Sequence, residues 1–135
     1  MNQIKQSLTS ETIVKKSKFL GFAFLIKQES DIKKIVLDLN KQHKNARHVV
    51  YAYRLSDNNV LKEKFDNNKE PVNSAGKPLL YLLQKKDVIN CLLVVIRYFG
   101  GTKLGVGGLV RAYTKAGQIV LENNLIEHGR ENTKS

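Results

Sequence analysis

The pattern of hydrophobic and polar positions begins with two strands and a helix. Residues 11–26 alternate loosely between apolar and polar side chains, and a polar break at Lys15–Lys18 separates two predicted strands. Ser30-Asp31 then provides a helix N-cap, and apolar residues recur at helical spacing from Ile32 to Leu39. The first part of the chain therefore predicts the order strand, strand, helix.

The middle of the chain continues this alternation of elements. His48–Leu55 is rich in β-branched and aromatic residues, which favours a strand, and Val60–Phe65 predicts a short return strand after a turn. Asn73-Ser74 can cap a second helix, whose predicted core face consists of the leucines between positions 79 and 83. Val88–Tyr98 is a nearly continuous apolar run, as expected for a central strand covered on both faces or along most of its length.

A third helix is predicted from about Leu109 to Asn123, after a glycine-rich segment that breaks all periodicity. The resulting order predicts an α+β fold in which a mixed sheet carries its helices on one face. The length of 135 residues suits a single domain, which we place at residues 10–125. Residues 1–10 are expected to form an N-terminal lead-in, and residues 126–135 a polar tail.

The charge balance points to the kind of partner. Lysine and arginine number 23 against 12 for aspartate and glutamate, which gives a formal net charge of +11 and a pI near 9.8. A field of this sign attracts polyanions, so RNA, the ribosome, a nucleotide or an acidic protein surface are the expected partners. The alternative is that many of these lysines only solvate the surface.

Targeting and redox features are those of a cytoplasmic protein. The hydrophobic runs are too short to cross a bilayer, and the N-terminus lacks the apolar segment of a signal peptide. Cys91 is the only cysteine and lies in the apolar run, which excludes an internal disulfide and predicts a buried, unreactive thiol. We therefore expect a cytoplasmic location and no membrane partner.

The strongest candidate site is the segment between the central strand and the last helix. Five glycines fall within nine residues there, so backbone amides are unobstructed, and the following helix adds unpaired N–H groups at its N-terminus. This arrangement predicts a site for an anion such as phosphate. The alternative is structural, because glycines also permit positive φ and tight strand–helix packing. The predicted anion- or nucleic-acid-binding residues are Arg97, Gly100, Gly101, Thr102, Lys103, Gly105, Gly107, Gly108 and Arg111.

Two further groups are weaker candidates. Lys77 precedes the second helix in a segment that begins at Glu70, and this segment either lines the same cleft or simply starts the helix. On the strand from His48, period-two alternation places His48 and Arg54 on the face opposite two tyrosines. Such a strand is compatible with base stacking, although a tyrosine pair more often belongs to the core. Lys77 therefore joins the predicted anion site, with His48, Arg54 and Glu70 as secondary candidates.

No catalytic residues, metal site or cofactor are predicted. The three histidines lack the spacing and cysteine partners of a metal site, and no serine stands in a nucleophile elbow. The glycine pattern matches neither the Walker A motif nor the dinucleotide-binding fingerprint. We therefore expect a binding module and not an enzyme.

Several blocks of the sequence resemble the IMPACT/YigZ family, in the same order, over roughly residues 10–124. The blocks are Ser17–Phe19, Ala46–His48 with Tyr51–Arg54, Glu70-Pro71, Ser74–Pro78 and, the longest, Arg97–Tyr113. One stretch departs from the family pattern, which is typically Asp-Asp-Gly followed by Glu-Pro-Ser-Gly-Thr. Here both glycine positions, 69 and 73, carry other residues, and we expect a bulkier, less anionic loop.

The resemblance implies a fold like the second domain of ribosomal protein S5 and a translation-linked regulatory role. Eukaryotic members restrain a kinase that phosphorylates an initiation factor, by competing for the activator of that kinase. For bacterial members, RNA or ribosome binding is the usual suggestion. The implied partners are thus RNA or the ribosome, with a translation-associated protein as the alternative. An enzyme acting on a nucleotide or phosphorylated small molecule is the third hypothesis, by analogy with small-molecule kinases of related fold.

Overall fold

The computed structural model describes residues 1–127. In chain order the elements are β1 (Asn2–Ile4), β2 (Leu8–Val14), β3 (Ser17–Leu25), α1 (Glu29–Gln42), β4 (His48–Asp57), β5 (Val60–Asp66), α2 (Gly76–Lys85), β6 (Cys91–Tyr98), α3 (Gly105–Leu121) and β7 (Leu125–Glu127). Apart from the short terminal strands β1 and β7, this is the element order that the sequence predicts. None of the helices in this described range is long and apolar enough to cross a membrane.

Strand β6 lies at the centre of a five-stranded sheet with the order β2-β3-β6-β4-β5. Its residues from Cys91 to Arg97 are all buried, which confirms the central strand expected from the apolar run. The register places Arg97 of β6 opposite Phe19 of β3 on one side and His48 of β4 on the other. The edge of the sheet where β6 ends therefore brings together residues far apart in sequence.

The two faces of this sheet carry separate hydrophobic cores. On one face, α2 and α3 pack through residues that include Leu79, Leu83 and Tyr113. On the other face, α1 packs through Ile32 and Leu39. Alternate residues of β6 belong to one core or the other, as the period of two along a strand requires.

The α+β class is confirmed, but two details of the predicted architecture are wrong. The helices lie on both faces of the sheet, because both faces of β6 and its neighbours are apolar and each needs a covering layer. The five-stranded sheet is antiparallel throughout and not mixed. Strands β3 and β4, which α1 connects, do run parallel to each other, but β6 lies between them and pairs antiparallel with both.

The N-terminal strand closes against the end of the described chain. Within the predicted lead-in, β1 pairs antiparallel with β7 in a separate two-stranded sheet. Asn124, which is buried, links this corner by donating its side-chain amide to the carbonyls of Gln6 and Val120. The predicted polar tail overlaps β7, and its residues 128–135 lie outside the described residues.

Cys91 is a core residue, as the sequence predicts. It is fully buried at the start of β6, and burial raises the pKa of its thiol to about 12. A thiol with that pKa is protonated at neutral pH and does not act as a nucleophile.

Candidate functional site

A cleft of about 480 Å³ opens where β4 begins and β6 ends, beside the first turn of α3. The loop between β5 and α2 supplies a further wall. We refer to this feature as the basic cleft. Its lining residues are Arg47, His48, Lys69, Glu70, Pro71, Arg97, Phe99, Lys103, Leu104, Gly105, Val106 and Leu109.

Positive charge dominates the lining of the basic cleft. Four lining residues are lysine or arginine, and only one, Glu70, is a carboxylate. Arg47, Lys69 and Lys103 are exposed, and in residues 1–127 no carboxylate forms an ion pair with them. The cleft therefore presents positive charge that the described chain does not neutralise.

Glu70 lies at the base of the cleft, where protein groups donate hydrogen bonds to its carboxylate. Its side chain is 2% exposed, and both carboxylate oxygens accept hydrogen bonds of 2.9 Å from Nη1 of Arg97. The hydroxyl of Tyr113 donates a further hydrogen bond to Oε2. Because Arg97 balances its charge, Glu70 does not offset the positive field of the exposed cations.

Tyr113 reaches Glu70 from the buried face of α3. Burial is the main cause of the raised pKa of the Tyr113 phenol. The hydrogen bond to Glu70 and the negative charge of Glu70 raise this pKa further. The phenol therefore keeps its proton and remains a hydrogen-bond donor to the carboxylate. The ring also packs edge-to-face against Phe19, with centroids 5.2 Å apart.

His48 joins the same polar cluster from the start of β4. Its Nδ1 lies 2.6 Å from the carbonyl oxygen of Asn68, which can only accept, so Nδ1 carries a proton. Its Nε2 lies 3.4 Å from Oε1 of Glu70. The Nδ1 hydrogen bond holds the ring against the loop between β5 and α2, with Nε2 facing Glu70. Among residues 1–127, no group of three or more histidine, cysteine, aspartate or glutamate side chains is arranged to hold a metal ion.

Arg97 connects this polar cluster to an aromatic side chain. The guanidinium is 7% exposed, and its Nε is buried without a hydrogen-bond partner in the described chain. Phe99 contacts two cations, because Cζ of Arg97 lies 5.4 Å and Cζ of Arg47 lies 4.7 Å from its ring centroid. These contacts hold both guanidinium groups at the wall of the basic cleft.

The last side of the cleft is the N-terminus of α3, which begins at Gly105 and not at the predicted Leu109. Glycine has low helix propensity, but Leu104 and Leu109 both belong to the core, and this packing overrides the local preference. Gly101 and Gly105 have φ of 89° and 75°, in the left-handed region that favours glycine. No side chain caps the helix, so its first amides are available to an anion.

Gly100 serves backbone packing and not anion binding. Its amide donates to the hydroxyl of Ser17 at 3.3 Å and is therefore already used inside the protein. A Cβ at position 100 would lie 2.1 Å from the carbonyl carbon and oxygen of Lys16. Glycine is needed here because the turn between β2 and β3 approaches too closely for a side chain.

We expect Gly100→Ala to lower the free energy of unfolding by at least about 1 kcal/mol, because the opposing backbone cannot yield. Gly107→Ala is the matched control. Its Cβ would meet only the flexible end of Arg111, at 3.4 Å, and alanine raises helix propensity by up to about 1 kcal/mol. Urea unfolding followed by circular dichroism measures both variants. Equal destabilisation by the two substitutions would contradict this role for Gly100.

Both positions where the family pattern has glycine keep a glycine-like backbone. Lys69 has φ of 66° and Asn73 has φ of 63°. The loop that carries Glu70 therefore has the left-handed turns that glycine would allow, although the side chains differ. As predicted, the loop gains bulk, and the added side chain of Lys69 contributes a cation to the basic cleft.

The structure separates the predicted site residues into three places. Of these residues, Arg97, Lys103, Gly105, His48 and Glu70 line the basic cleft. Lys77 lies in a groove between α2 and α3, and Gly108 and Arg111 line a smaller cavity beside Lys15. Arg111 follows Gly105 by six residues on a helix that turns about 100° per residue, so it points to another side of α3. Gly101, Thr102 and Gly107 are exposed in the same segment but do not line the cleft.

Arg54, a secondary candidate, has a structural environment. It is buried, and its guanidinium binds the side chains of Glu63 and Asp87 and two main-chain carbonyls. It does not reach the basic cleft.

Sequence reasoning missed four residues of the site: Arg47, Lys69, Phe99 and Tyr113. Three of them lie within the blocks that resemble the family, Arg47 next to His48, and Phe99 and Tyr113 in the longest block. Their position in these blocks is the sequence feature that indicates a role in the site. Lys69 directly precedes Glu70, and only the path of the loop shows that it faces the cleft.

Comparison with known proteins agrees with the resemblance. The Impact N-terminal domain family matches residues 15–121. The IMPACT family member YvyE of Bacillus subtilis (strain 168) is 36% identical over 113 residues, covering 84% of this chain and 52% of that protein. The IMPACT family member YigZ of Escherichia coli (strain K12) is 35% identical over 101 residues, covering 74% of this chain and 50% of that protein.

A solved structure has the same fold. The crystal structure of a hypothetical protein superposes with a TM-score of 0.83 at 30% identity, covering 93% of this chain and 61% of that chain. The present chain thus spans about half the length of the two relatives it matches. The family match covers most of the sequence and contains the residues that build the cleft from His48 to Leu109. This chain belongs to the family defined by the Impact N-terminal domain.

Proposed function

We propose that this domain binds phosphate groups of RNA in the basic cleft and that this binding serves a translation-linked regulatory role. The observation that carries the proposal is the juxtaposition of an uncapped helix N-terminus with four cationic side chains in one cleft. Helix amides and the positive end of the helix dipole favour an anion, and the cationic side chains add to this attraction at close range.

The chemistry of the lining favours a phosphate ester over a simple inorganic anion. Arg47 and Lys103 are exposed side chains that can follow a polyanion, whereas Arg97 is held in place by Glu70. Phe99 is partly exposed in the same lining and presents an aromatic surface beside the cations. Cations beside an aromatic ring are the usual combination in proteins that bind single-stranded nucleic acid.

The regulatory part of the proposal rests on family membership. The resemblance to the IMPACT/YigZ family implies a translation-linked role, and the net charge of +11 suits a partner rich in phosphate such as the ribosome. A small phosphorylated ligand would use the same helix N-terminus but would not need the exposed cations at the rim.

Fluorescence anisotropy with a labelled, single-stranded RNA of about 12 nucleotides tests the proposal. We expect the logarithm of the binding constant to fall with the logarithm of salt concentration, with a slope of about −2 if the three exposed cations neutralise three phosphates. Lys103→Glu should weaken binding by about tenfold and reduce the slope. Lys41→Glu changes the net charge equally but lies on α1, on the opposite face of the sheet, and should alter affinity by less than about threefold.

Three results would contradict the proposal. Binding without a salt slope would mean that phosphates are not neutralised. An equal loss in Lys103→Glu and Lys41→Glu would mean that the overall field, and not the basic cleft, binds RNA. If the wild-type domain binds the free RNA but does not sediment with ribosomes at low salt, the translation-linked role is contradicted and RNA binding is not.

A further inference from the structure

A second concave surface lies between α2 and α3, on the face of the sheet that these helices cover. This α2–α3 groove has a volume of about 440 Å³. Two rows of side chains border it. On α2 the row is Lys77, Tyr81 and Lys85, and on α3 it is Val110, Thr114 and Gln118. In each row the residues are four apart, so each row follows one face of its helix for two turns.

The floor of the groove is formed by tightly packed helices. A Cβ at Gly117 of α3 would lie 3.0 Å from Cδ2 of Leu82 and 3.2 Å from Cδ2 of Leu79, both on α2. Glycine at this position lets the two helices approach closely. The groove is therefore a preformed feature of the core, and a partner can bind there without rearrangement of the helices.

We propose that the α2–α3 groove binds an amphipathic helix of a partner protein whose apolar stripe is flanked by acidic residues. Two rows of side chains, each two turns long, offer the contact pattern that a third helix needs. Pro78 and Leu82 give the lining an apolar part, and the ring of Tyr81, which is 62% exposed, belongs to the same lining.

The lysines that border the groove favour a negatively charged partner. Lys77 and Lys85 lie eight residues apart, about 12 Å along α2, and both border the groove. No carboxylate lines the groove within residues 1–127. Acidic residues spaced two turns apart on a docked helix would face these lysines, whereas basic residues would be repelled. Nucleic acid is disfavoured, because the groove is mainly apolar and offers only two cations.

This inference is independent of the proposed RNA binding. The α2–α3 groove and the basic cleft share no lining residue. Lys77, which sequence analysis assigned to the anion site, belongs to the groove. A domain with both surfaces can hold a nucleic acid and a protein at the same time.

A displayed library of helical peptides of about 14 residues, roughly 21 Å long, tests the proposal. Each peptide carries an apolar stripe at helical spacing, and the flanking positions are randomised. Selection on the wild-type domain, with Tyr81→Glu for counter-selection, should enrich peptides with aspartate or glutamate at the flanks. Titration of a selected peptide followed by NMR should shift signals of α2 and α3 around the groove.

Charge exchange provides the matched control. The double variant Lys77→Glu, Lys85→Glu should bind the selected peptide about tenfold more weakly than wild type does. It should bind a lysine-flanked version of the peptide more tightly than wild type does. Lys33→Glu combined with Lys41→Glu reverses two charges at the same spacing on α1 and should change affinity by less than about twofold. The pair of substitutions in the groove, Lys77→Glu with Lys85→Glu, should not alter the salt slope for RNA.

The proposal fails in any of three cases. Selection that enriches nothing over Tyr81→Glu means that the groove does not bind a helix. Enrichment without an acidic bias contradicts the assigned chemistry of the partner. Peptide binding that survives the groove substitutions, or that shifts signals of the basic cleft instead, places the interaction elsewhere. Self-association of the domain through Tyr81, detected by sedimentation, would assign the groove to a second copy of the chain.

Discussion

Replacing Glu70 by alanine is expected to lower the free energy of unfolding by about 3–5 kcal/mol. The substitution leaves the guanidinium of Arg97 buried without a counter-charge and removes the acceptor of the Tyr113 hydroxyl. A small domain is stable by only about 5–15 kcal/mol, so the loss is a large part of the total. Urea unfolding followed by far-ultraviolet circular dichroism measures it.

Three further variants separate the charge effect from packing. Glu70→Gln keeps the shape of the side chain but not its charge, and should be intermediate. Glu70→Leu combined with Arg97→Met removes both charges and should recover much of the loss, because an apolar pair has no buried charge to compensate. Glu11→Ala, at an exposed position of β2, should stay within about 0.5 kcal/mol of wild type. Equal stability of Glu70→Ala and Glu11→Ala would refute the interpretation.

The cluster around Glu70 also predicts a link between the stability of the domain and the proposed RNA binding. Arg97 is held at the wall of the basic cleft by a carboxylate that comes from a loop, and Tyr113 brings that carboxylate against α3. The loop, β6 and α3 are thus joined at one buried point. Loss of Glu70 should release the loop that carries Lys69, so RNA affinity should fall together with stability, although Glu70 itself contributes no positive charge.

Much of the fold could be predicted because its signals are local. The apolar run of β6 and the helical spacing of α1 depend only on neighbouring residues, and both elements form. Strand β6 lies within the predicted run. Helix α1 begins earlier than predicted, because its N-cap is Gln28, whose backbone amide donates to the carboxylate of Asp31 at the third helical position. The faces covered by the helices were not predicted correctly. A continuous apolar strand indicates that both faces are covered, but it does not say which helix lies on which face. That assignment depends on the topology that places β6 between β3 and β4.

The candidate site was predictable only where its residues are close in sequence. Arg97, Lys103 and Gly105 fall within one segment and do meet in one cleft. Glu70 and Tyr113 are separated by 43 residues, and their hydrogen bond depends on the packing of a loop against α3. Lys77 and Arg111 were grouped with the glycine segment by charge alone. The direction in which each side chain leaves its helix places them on other surfaces.

Arg54 provides a test of whether a buried cation in this basic domain serves stability or binding. Its Nε donates to Glu63 at 2.9 Å, and its Nη1 donates to the carbonyl of Val88 at 3.1 Å and, more weakly, to that of Leu83 at 3.4 Å. Removing the guanidinium leaves buried carbonyls without a donor, at a cost of about 1–3 kcal/mol. Because Glu63 and Asp87 are partly exposed, water can solvate them after the change.

We therefore expect Arg54→Met to lower the free energy of unfolding by about 2–3 kcal/mol and to leave RNA affinity within about twofold of wild type. Arg54 follows His48 by six residues on β4, about 20 Å along the strand and away from the basic cleft. Arg54→Lys keeps the charge but not the planar group that binds several acceptors, so it should recover only part of the stability. Urea unfolding and RNA anisotropy on the same preparations measure the two effects. A tenfold loss of RNA affinity with unchanged stability would instead place Arg54 in the binding surface, and the basic cleft would then not be the whole site.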